Sequence, residues 1–239
     1  LDDISRDYMY QPGEALAFSP KDNGGDIVET ALLLQGLLAV RQYFDSSDPV
    51  ETAIRNGIGN IWKTVEWNWY TNGKDVLYWH WSPDFGWEMN LPVSGWNEGL
   101  IVYVLAASSP TYPIDREVYD RGWARDGAMA NGSKYFNLEL PLGPDYGGPL
   151  FFAQYSFLGL DPRGLSDSYA DYWKQNVAQT KINYKYCVEN PKGWSGYGRN
   201  VWGLTASAVP GGYAAACPTG DYATIARTAV LSSFPSTPA

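Results

Sequence analysis

Four long segments with helical periodicity, joined by long irregular segments, constrain the fold of this 239-residue chain more than any other feature. Apolar residues recur at helical spacing over residues 26–44, 51–70, 95–108 and 165–190. Connections this long are not typical of a four-helix bundle, whose loops are short, and they favour an α/α toroid. The sequence therefore predicts an all-α fold in one domain.

Shorter elements are predicted between and after these helices. Helical turns are expected at residues 116–123, 202–207 and 224–232, whereas residues 1–25 and 76–94 are expected to be irregular or extended because breakers and aromatic residues crowd them. Long loops on a compact scaffold often carry function, so the second irregular segment is a candidate for binding.

Charge and hydropathy exclude two classes of protein. The formal net charge is −9 and the isoelectric point is near 4.6, which argues against nucleic-acid binding because phosphate contacts need clustered lysine and arginine. No apolar run is long enough to cross a bilayer, so no membrane span is predicted. The chain opens at Leu1 without methionine, as a processed or truncated product would.

The scarcity of histidine and cysteine restricts the available chemistry. Cys187, Cys217 and His80 are the only such residues, and no CxxC motif occurs, so neither a metal site nor a metal cofactor is predicted. The two cysteines could form a disulfide or remain free thiols. Ser-His-Asp or Cys-His catalysis would require His80, which between two tryptophans is more typical of a packed, hydrogen-bonded residue. Hydrolytic chemistry would then rest on carboxylates.

Asp22, Asp26 and Glu29 form the first group of such carboxylates. Spacings of 4 and 3 residues would put all three on one helix face if the helix begins early. If it begins at Asp26, then Asp26 and Glu29 still share a face, and Asp22 lies over the N-terminal end of the helix. Three neighbouring acids repel one another unless a ligand or a raised pKa relieves them, which points to a binding site. The alternative is helix capping by the two aspartates, with a solvated Glu29.

Glu98 is the second candidate, at the start of an apolar helix beside Trp96 and Asn97. A partly apolar pocket would raise its pKa and keep it protonated for general-acid catalysis. The alternative is a first-turn glutamate stabilised by the helix dipole.

Aromatic residues make up 15% of the chain, including 11 Trp and 18 Tyr. Flat rings with a polar edge suit stacking on sugars, but they also fill cores. The segment after Val76 is hard to bury completely, which favours a sugar-stacking wall there. The candidates for this wall are Trp79, Trp81 and Trp87, together with Tyr146 further along the chain.

Several blocks resemble one known family. They are FSPKDNGGDIVETALLLQGLL, LYWHWSPDFGWEMN, GWNEGLIVYVLAASSPTYPI, GGPLFFAQYSFLGLDPRGL and WGLTASAVPGGY. In this order, over nearly the whole chain, they are similar to the bacterial endo-β-1,2-glucanases of glycoside hydrolase family 144. The resemblance implies a glucoamylase-like (α/α)6 barrel over residues 1–239, incomplete at both ends. It also implies Glu98 as proton donor, cleft positions for Asp22, Asp26 and Glu29, and anomer-inverting chemistry, which needs an acid and a base on opposite faces of the sugar.

Four positions depart from this family pattern. Members usually carry histidine where this chain has Gln154, Gln179 and Ala215, and aspartate where it has Ala208. The family acid that serves as base falls in the absent C-terminal part, so the resemblance assigns no base here. These departures make a glucan-binding protein without catalysis an alternative to a hydrolase.

The sequence thus predicts an enzyme that hydrolyses β-1,2-glucan internally to short sophoro-oligosaccharides without a cofactor. A transglycosylase or an exo-acting enzyme of the same barrel is the neighbouring hypothesis. The chain is expected to be a periplasmic or secreted monomer that binds β-1,2-glucan and no nucleic acid. The predicted catalytic residue is Glu98, and the predicted substrate-binding residues are Asp22, Asp26, Glu29, Trp79, Trp81, Trp87, Asn97, Tyr146 and Gln154.

Overall fold

The computed structural model describes residues 21–209 and 212–226 of the chain. This part is rich in helix, with 3-10 turns and three small antiparallel sheets between the helices. The α-helices are α1 (Ile27–Tyr43), α2 (Pro49–Thr64), α3 (Leu100–Ser108) and α4 (Tyr172–Glu189). The strand pairs are β1 (Gly25–Asp26) with β2 (His80–Trp81), β3 (Lys134–Tyr135) with β4 (Leu138–Glu139), and β5 (Ala206–Val209) with β6 (Gly212–Ala215).

All four predicted helices are confirmed, with shorter bounds. The second ends at Thr64 and is followed by a separate 3-10 helix at Trp67–Thr71. The third begins five residues late, because Gly95 has a left-handed φ of 76° and residues 95–99 form turns. The fourth begins only after Asp171, whose carboxylate accepts from the backbone N–H of Lys174 at 3.0 Å.

The prediction of helical turns at residues 202–207 is wrong. The backbone there runs into β5, which pairs in register with β6 from Ala206 opposite Ala215 to Val209 opposite Gly212. Alanine alone would favour a helix, but the Pro210-Gly211 pair interrupts a helix here and favours a turn between two strands. Residues 116–123 contain a short helix of π type at Val118–Trp123. The turn expected at 224–232 and the irregular start at 1–25 lie mostly outside the described residues.

Helix α3 forms the centre of the larger of two apolar cores. It is apolar all round, and six of its nine residues are buried, which is typical of a helix surrounded by protein. It packs with Ile27 and Leu34 of α1 and with Trp123. Since Glu98 lies two residues before α3, its carboxyl is carried next to the buried start of this helix.

The smaller core cluster lies beneath the C-terminal loops. Leu150, Tyr186, Cys187, Trp202 and Leu204 are its main members. Both cysteines are free thiols, so no disulfide joins them, and burial raises the pKa of the Cys187 thiol to about 11. Within the described ranges, no helix has the length and apolarity needed to cross a membrane.

Candidate active site

The short β1–β2 pair brings residues 22–26 beside the aromatic-rich segment 76–94, which is called the aromatic loop below. Asp26 lies opposite His80 in this pair, and the backbone N–H of Ile27 donates to the Trp79 carbonyl at 3.0 Å. The approach is close: a Cβ on Gly25 would lie 2.1 Å from the Tyr70 hydroxyl oxygen. A Cβ on Gly24 would lie 2.2 Å from the backbone carbonyl oxygen of Trp81, so a larger residue would force the two backbones apart where the chain enters the site.

Asp26 caps helix α1 and contacts the aromatic loop at the same time. Its Oδ1 accepts from the backbone N–H groups of Val28 at 2.8 Å and Glu29 at 2.9 Å, so the capping hypothesis holds for this residue. Its Oδ2 accepts from Trp79 Nε1 at 3.1 Å. Burial raises the pKa of Asp26, while these hydrogen bonds and His80 act against the shift.

Asp22 does not cap the helix. Its Oδ1 lies 3.6 Å from Nε2 of His80, and the same nitrogen lies 3.5 Å from Oδ2 of Asp26. His80 is buried and stacked on the Trp79 ring, with ring centroids 5.8 Å apart. The packed position expected for His80 is confirmed, and the imidazole faces both aspartates.

The turn that carries Glu98 is braced from several sides. The preceding Trp96 is buried, and its Nε1 donates to Oε1 of Gln179 on α4 at 2.8 Å. The Oδ1 of Asn97 accepts from the Gly99 backbone N–H at 2.7 Å. A Cβ on Gly99 would lie 2.4 Å from a methyl carbon of Val93. Asn97 therefore has a structural contact in addition to its predicted place in the binding site.

The Glu98 carboxyl has a raised pKa and keeps part of its population protonated at neutral pH. Desolvation, followed by the charges of Glu29 and Asp26, raises its pKa to about 7. The pKa of Glu29 is raised in turn by desolvation and by the Asp26 charge. The structure thus brings together three of the acids singled out from the sequence, in an environment that favours a neutral Glu98.

Two tyrosines that the site prediction omitted also face Glu98. Desolvation raises the pKa of Tyr155, and the carboxylates of Glu98 and Glu29 add to the shift. Desolvation and the Glu98 charge likewise raise the pKa of Tyr213, on strand β6. Both rings remain exposed. Tyr213 could not be found by spacing, because it reaches the site from a hairpin 115 residues further along the chain.

An aromatic group lies beside Asp26. The ring of Trp69 is 5.1 Å from that of Trp81 and 4.8 Å from that of Trp87, and Tyr70 contacts Trp87 at 5.7 Å. Trp79, Trp81 and Trp87 are all partly exposed, as predicted. Trp69 was missed because its segment was read as helix; it is 42% exposed, the most open ring of the group.

Tyr146 and Gln154 lie in different surroundings. Tyr146 is partly exposed but packs with Tyr135, Phe136 and Tyr186 against the smaller core cluster. Gln154 is buried, with 4% of its surface exposed.

Within residues 21–209 and 212–226, no cluster of histidine, cysteine, aspartate and glutamate is arranged to hold a metal ion. The site offers instead a neutral carboxyl, ionisable neighbours and exposed rings. Such a set can donate a proton to a leaving oxygen while it binds hydroxyl groups and flat apolar faces.

A protein-family model described as “Putative glucoamylase” matches residues 90–239, which is more than half of the chain. The chain belongs to this glucoamylase family. Among solved structures, this glucoamylase-family chain is similar to an endo-β-1,2-glucanase from Chitinophaga pinensis in complex with sophorotriose and glucose, at 51% identity and a TM-score of 0.89. It is also similar to a β-1,2-glucanase from Parabacteroides distasonis, at 46% identity and a TM-score of 0.88.

A curated relative is 47% identical to this glucoamylase-family chain over 248 residues, namely an exo β-1,2-glucooligosaccharide sophorohydrolase acting at the non-reducing end, from Parabacteroides distasonis. The alignments cover 95% of the chain for this relative and for the Chitinophaga enzyme, and 92% for the Parabacteroides structure. The chain spans only 34% of the curated relative and 56% and 35% of the two solved chains.

Proposed function

We propose that this protein hydrolyses β-1,2-glucan, with Glu98 as the proton donor. The observation that carries the proposal is the buried carboxyl of Glu98, whose pKa is raised to about 7 beside Glu29 and Asp26. Similarity to β-1,2-glucanases supports the substrate class. The leaving oxygen of a glycosidic bond needs a proton as the bond breaks, and a neutral carboxyl in a partly dry site provides it.

The other groups are proposed to hold the glucan. Asp22, Asp26 and Glu29 would accept hydrogen bonds from sugar hydroxyls, and the exposed rings beside them would stack on pyranose faces. We further propose that the helices form part of an (α/α)6 barrel, that the reaction inverts the anomeric centre, and that the protein acts in the periplasm or outside the cell.

Substitution of Glu98 tests the proposed role. Glu98→Gln keeps the shape and removes the transferable proton, so we expect turnover on linear β-1,2-glucan to fall about 10²–10⁴-fold while affinity stays within about three-fold. Asp26→Asn should weaken binding and turnover together, because it alters a group that holds hydroxyls. Steady-state release of new reducing ends and calorimetric binding measure both effects.

Glu139→Gln is the matched control, since Glu139 is an exposed glutamate on strand β4. It should retain full turnover. If Glu98→Gln keeps more than about a tenth of the original turnover, Glu98 is not the donor. Glucan binding without new reducing ends in the unaltered protein would instead favour a binding protein.

We propose that the cleavage is internal, that is, endo-acting. Exo action is the second candidate, and the sophorohydrolase among the relatives favours it. An endo-acting enzyme releases a ladder of oligosaccharides early in the reaction, whereas an exo-acting enzyme of that kind releases sophorose alone. Chromatography of early products therefore separates the two. The same profile would reveal transglycosylation as products longer than the substrate.

Two departures from the family pattern lie in the interior. Gln179 is fully buried, accepts from Trp96 Nε1 and donates to the Pro149 carbonyl at 2.9 Å. Gln154 is buried as well. Ala208 is exposed on β5, and Ala215 on β6. Gln179 is hydrogen-bonded and supports the turn before Glu98. Glutamine in place of the usual histidine at this position is therefore compatible with Glu98 as a proton donor.

A further inference from the structure

The first turn of α3 has no side-chain cap from its own segment. The residue at the cap position is Gly99, which has no side chain to accept from the first free N–H groups. Helices α1, α2 and α4 each begin at an aspartate that does so. The turn next to the proposed proton donor therefore depends on partners from elsewhere in the chain.

Ser156 provides such a partner. Its Oγ accepts from the backbone N–H of Ile101 at 3.0 Å and donates to the backbone carbonyl of Glu98 at 2.5 Å. These are the two groups that a 3-10 first turn would join directly, so the hydroxyl is inserted between them. The side chain has no exposed surface. One hydroxyl thus satisfies a backbone donor and a backbone acceptor in a site that water does not reach.

The short 3-10 helix that carries Ser156, Tyr155–Leu158, is also tied to helix α1. Nε2 of Gln35 donates to the Tyr155 carbonyl at 2.9 Å. The approach is close, because a Cβ on Gly159 would lie 2.8 Å from Oε1 of Gln35. Helix α1 begins at the cap Asp26 and carries Glu29. Residues 155–159 therefore join the helix of these two acids to the backbone of Glu98.

We propose that Ser156 is a positioning residue, whose hydroxyl fixes the Glu98 backbone relative to the acids of α1. The catalytic consequence rests on the proposed function. A proton donor must lie within hydrogen-bond reach of the leaving oxygen, and a displacement of about 1 Å can cost about 10²-fold in rate. Ser156 has no exposed surface through which to contact a substrate, so its effect would act through Glu98.

Ser156→Ala leaves the Glu98 carbonyl and the Ile101 N–H without their partner. We expect kcat to fall about 10–100-fold with KM within about three-fold, because the donor is displaced while the glucan contacts remain. A looser turn also lets water reach the carboxyl. The pKa of Glu98 should therefore fall by at least about half a unit, towards its ordinary value.

Ser109→Ala is the matched control. Ser109 is also buried, and its hydroxyl accepts from the N–H of Tyr112 at 3.1 Å, but it lies at the opposite end of α3. This variant should lose comparable stability and keep its kcat and the Glu98 pKa. Carbon-13 NMR of labelled glutamate carboxyls, with the Glu98 signal assigned by its loss in Glu98→Gln, measures the pKa without any catalytic readout.

Two further variants keep the test decisive if Ser156→Ala folds poorly. Ser156→Thr retains the hydroxyl and should keep the Glu98 pKa, while Gln35→Met releases the turn from α1 and should lower both the pKa and kcat. An unchanged Glu98 pKa in Ser156→Ala, or in Gln35→Met where the first variant does not fold, overturns the proposal. Absence of turnover in the unaltered protein would refute the proposed function alone, since the NMR result stands without it.

Discussion

At the scale of single residues, the site depends on one carboxyl whose pKa is raised to about 7, beside two acids whose pKa values are also raised. Glu98 owes this to desolvation first and to the charges of Glu29 and Asp26 second. A neutral acid beside ionised acids is the usual division of roles in glycosidases. The arrangement has consequences for both rate and stability.

The pH dependence of turnover follows from the proposed donor role. Glu98 acts only while protonated, so kcat/KM on β-1,2-glucan should decline above a pKa of about 7, with a tenfold loss for each further pH unit. Initial rates between pH 5 and 9 measure this limb. A flat profile up to pH 9 would contradict the assignment of Glu98.

The free energy of unfolding should decrease as pH rises, which is the reverse of the dependence that a salt-bridged acid produces. The pKa of Glu98 is higher in the folded protein than its ordinary 4.5, so the folded state binds more protons and loses stability as pH rises from about 4.5 through about 7. Glu98→Gln removes this loss. The variant should be about 2–3 kcal/mol more stable than the parent at pH 9, with little difference at pH 4.5.

Urea unfolding at the two pH values measures this difference. Glu139→Gln, on the surface, should show no such pH-dependent gain. An equal stability difference for Glu98→Gln at both pH values would show that the carboxyl is not desolvated.

At the scale of elements, the residue that caps helix α1 also lies in the candidate site. Asp26 caps the helix through one carboxylate oxygen and reaches Trp79 through the other. Asp48 caps α2 in the same way, by accepting from Val50 N–H at 2.8 Å, but it lies on the exposed surface. The two caps provide a matched pair.

Substitution of these caps separates stability from activity. Asp26→Ser keeps a capping oxygen, so its stability should stay within about 0.5 kcal/mol, whereas Asp26→Ala should lose about 1 kcal/mol. Both should lose most turnover, since both lack the carboxylate. Asp48→Ala should lose about 1 kcal/mol and keep full activity. Thermal melts and reducing-end assays test this, and full activity in Asp26→Ser would limit Asp26 to capping.

At the scale of the whole molecule, Asp221 holds the C-terminal loops on the smaller core cluster. Its carboxylate accepts from the Tyr186 hydroxyl at 3.1 Å, Trp194 Nε1 at 3.0 Å, the Tyr197 hydroxyl at 2.6 Å and the Ala223 N–H at 3.0 Å. The residue is buried. One donor from α4, two from the loop that follows it and one next to Asp221 itself thus share this carboxylate.

Removal of this acceptor should loosen one part of the molecule. Asp221→Ala leaves buried donors unpaired, and we expect it to cost about 2–4 kcal/mol and to speed amide exchange over residues 190–226. The first turn of α3 should stay protected. Asp161→Ala, which removes only an exposed pair with Arg163, is the control and should leave exchange unchanged. Uniform exchange across the chain in Asp221→Ala would contradict a local anchor.

Local sequence patterns were sufficient to predict the helices and the acids at their ends. Periodicity is a local property, so the spacing of apolar residues was sufficient to locate α1 and α4, and the acid spacing placed Asp26 and Glu29 together at one helix end. The neutral state of Glu98 was also expected from its apolar neighbours. The hairpin at residues 206–215 was not expected, because the pairing of β5 with β6 overrides the weak local preference of this segment for a helical turn.

The distant residues that meet these acids became visible only in the folded chain. Tyr213 faces Glu98 from strand β6, Trp69 joins the aromatic group from a 3-10 helix, and Ser156 completes the first turn of α3 across 58 positions in the chain. No local pattern encodes these contacts. The Ser156 contact arises because the first turn of α3 is buried, so its unpaired backbone groups need partners that only the packed chain provides.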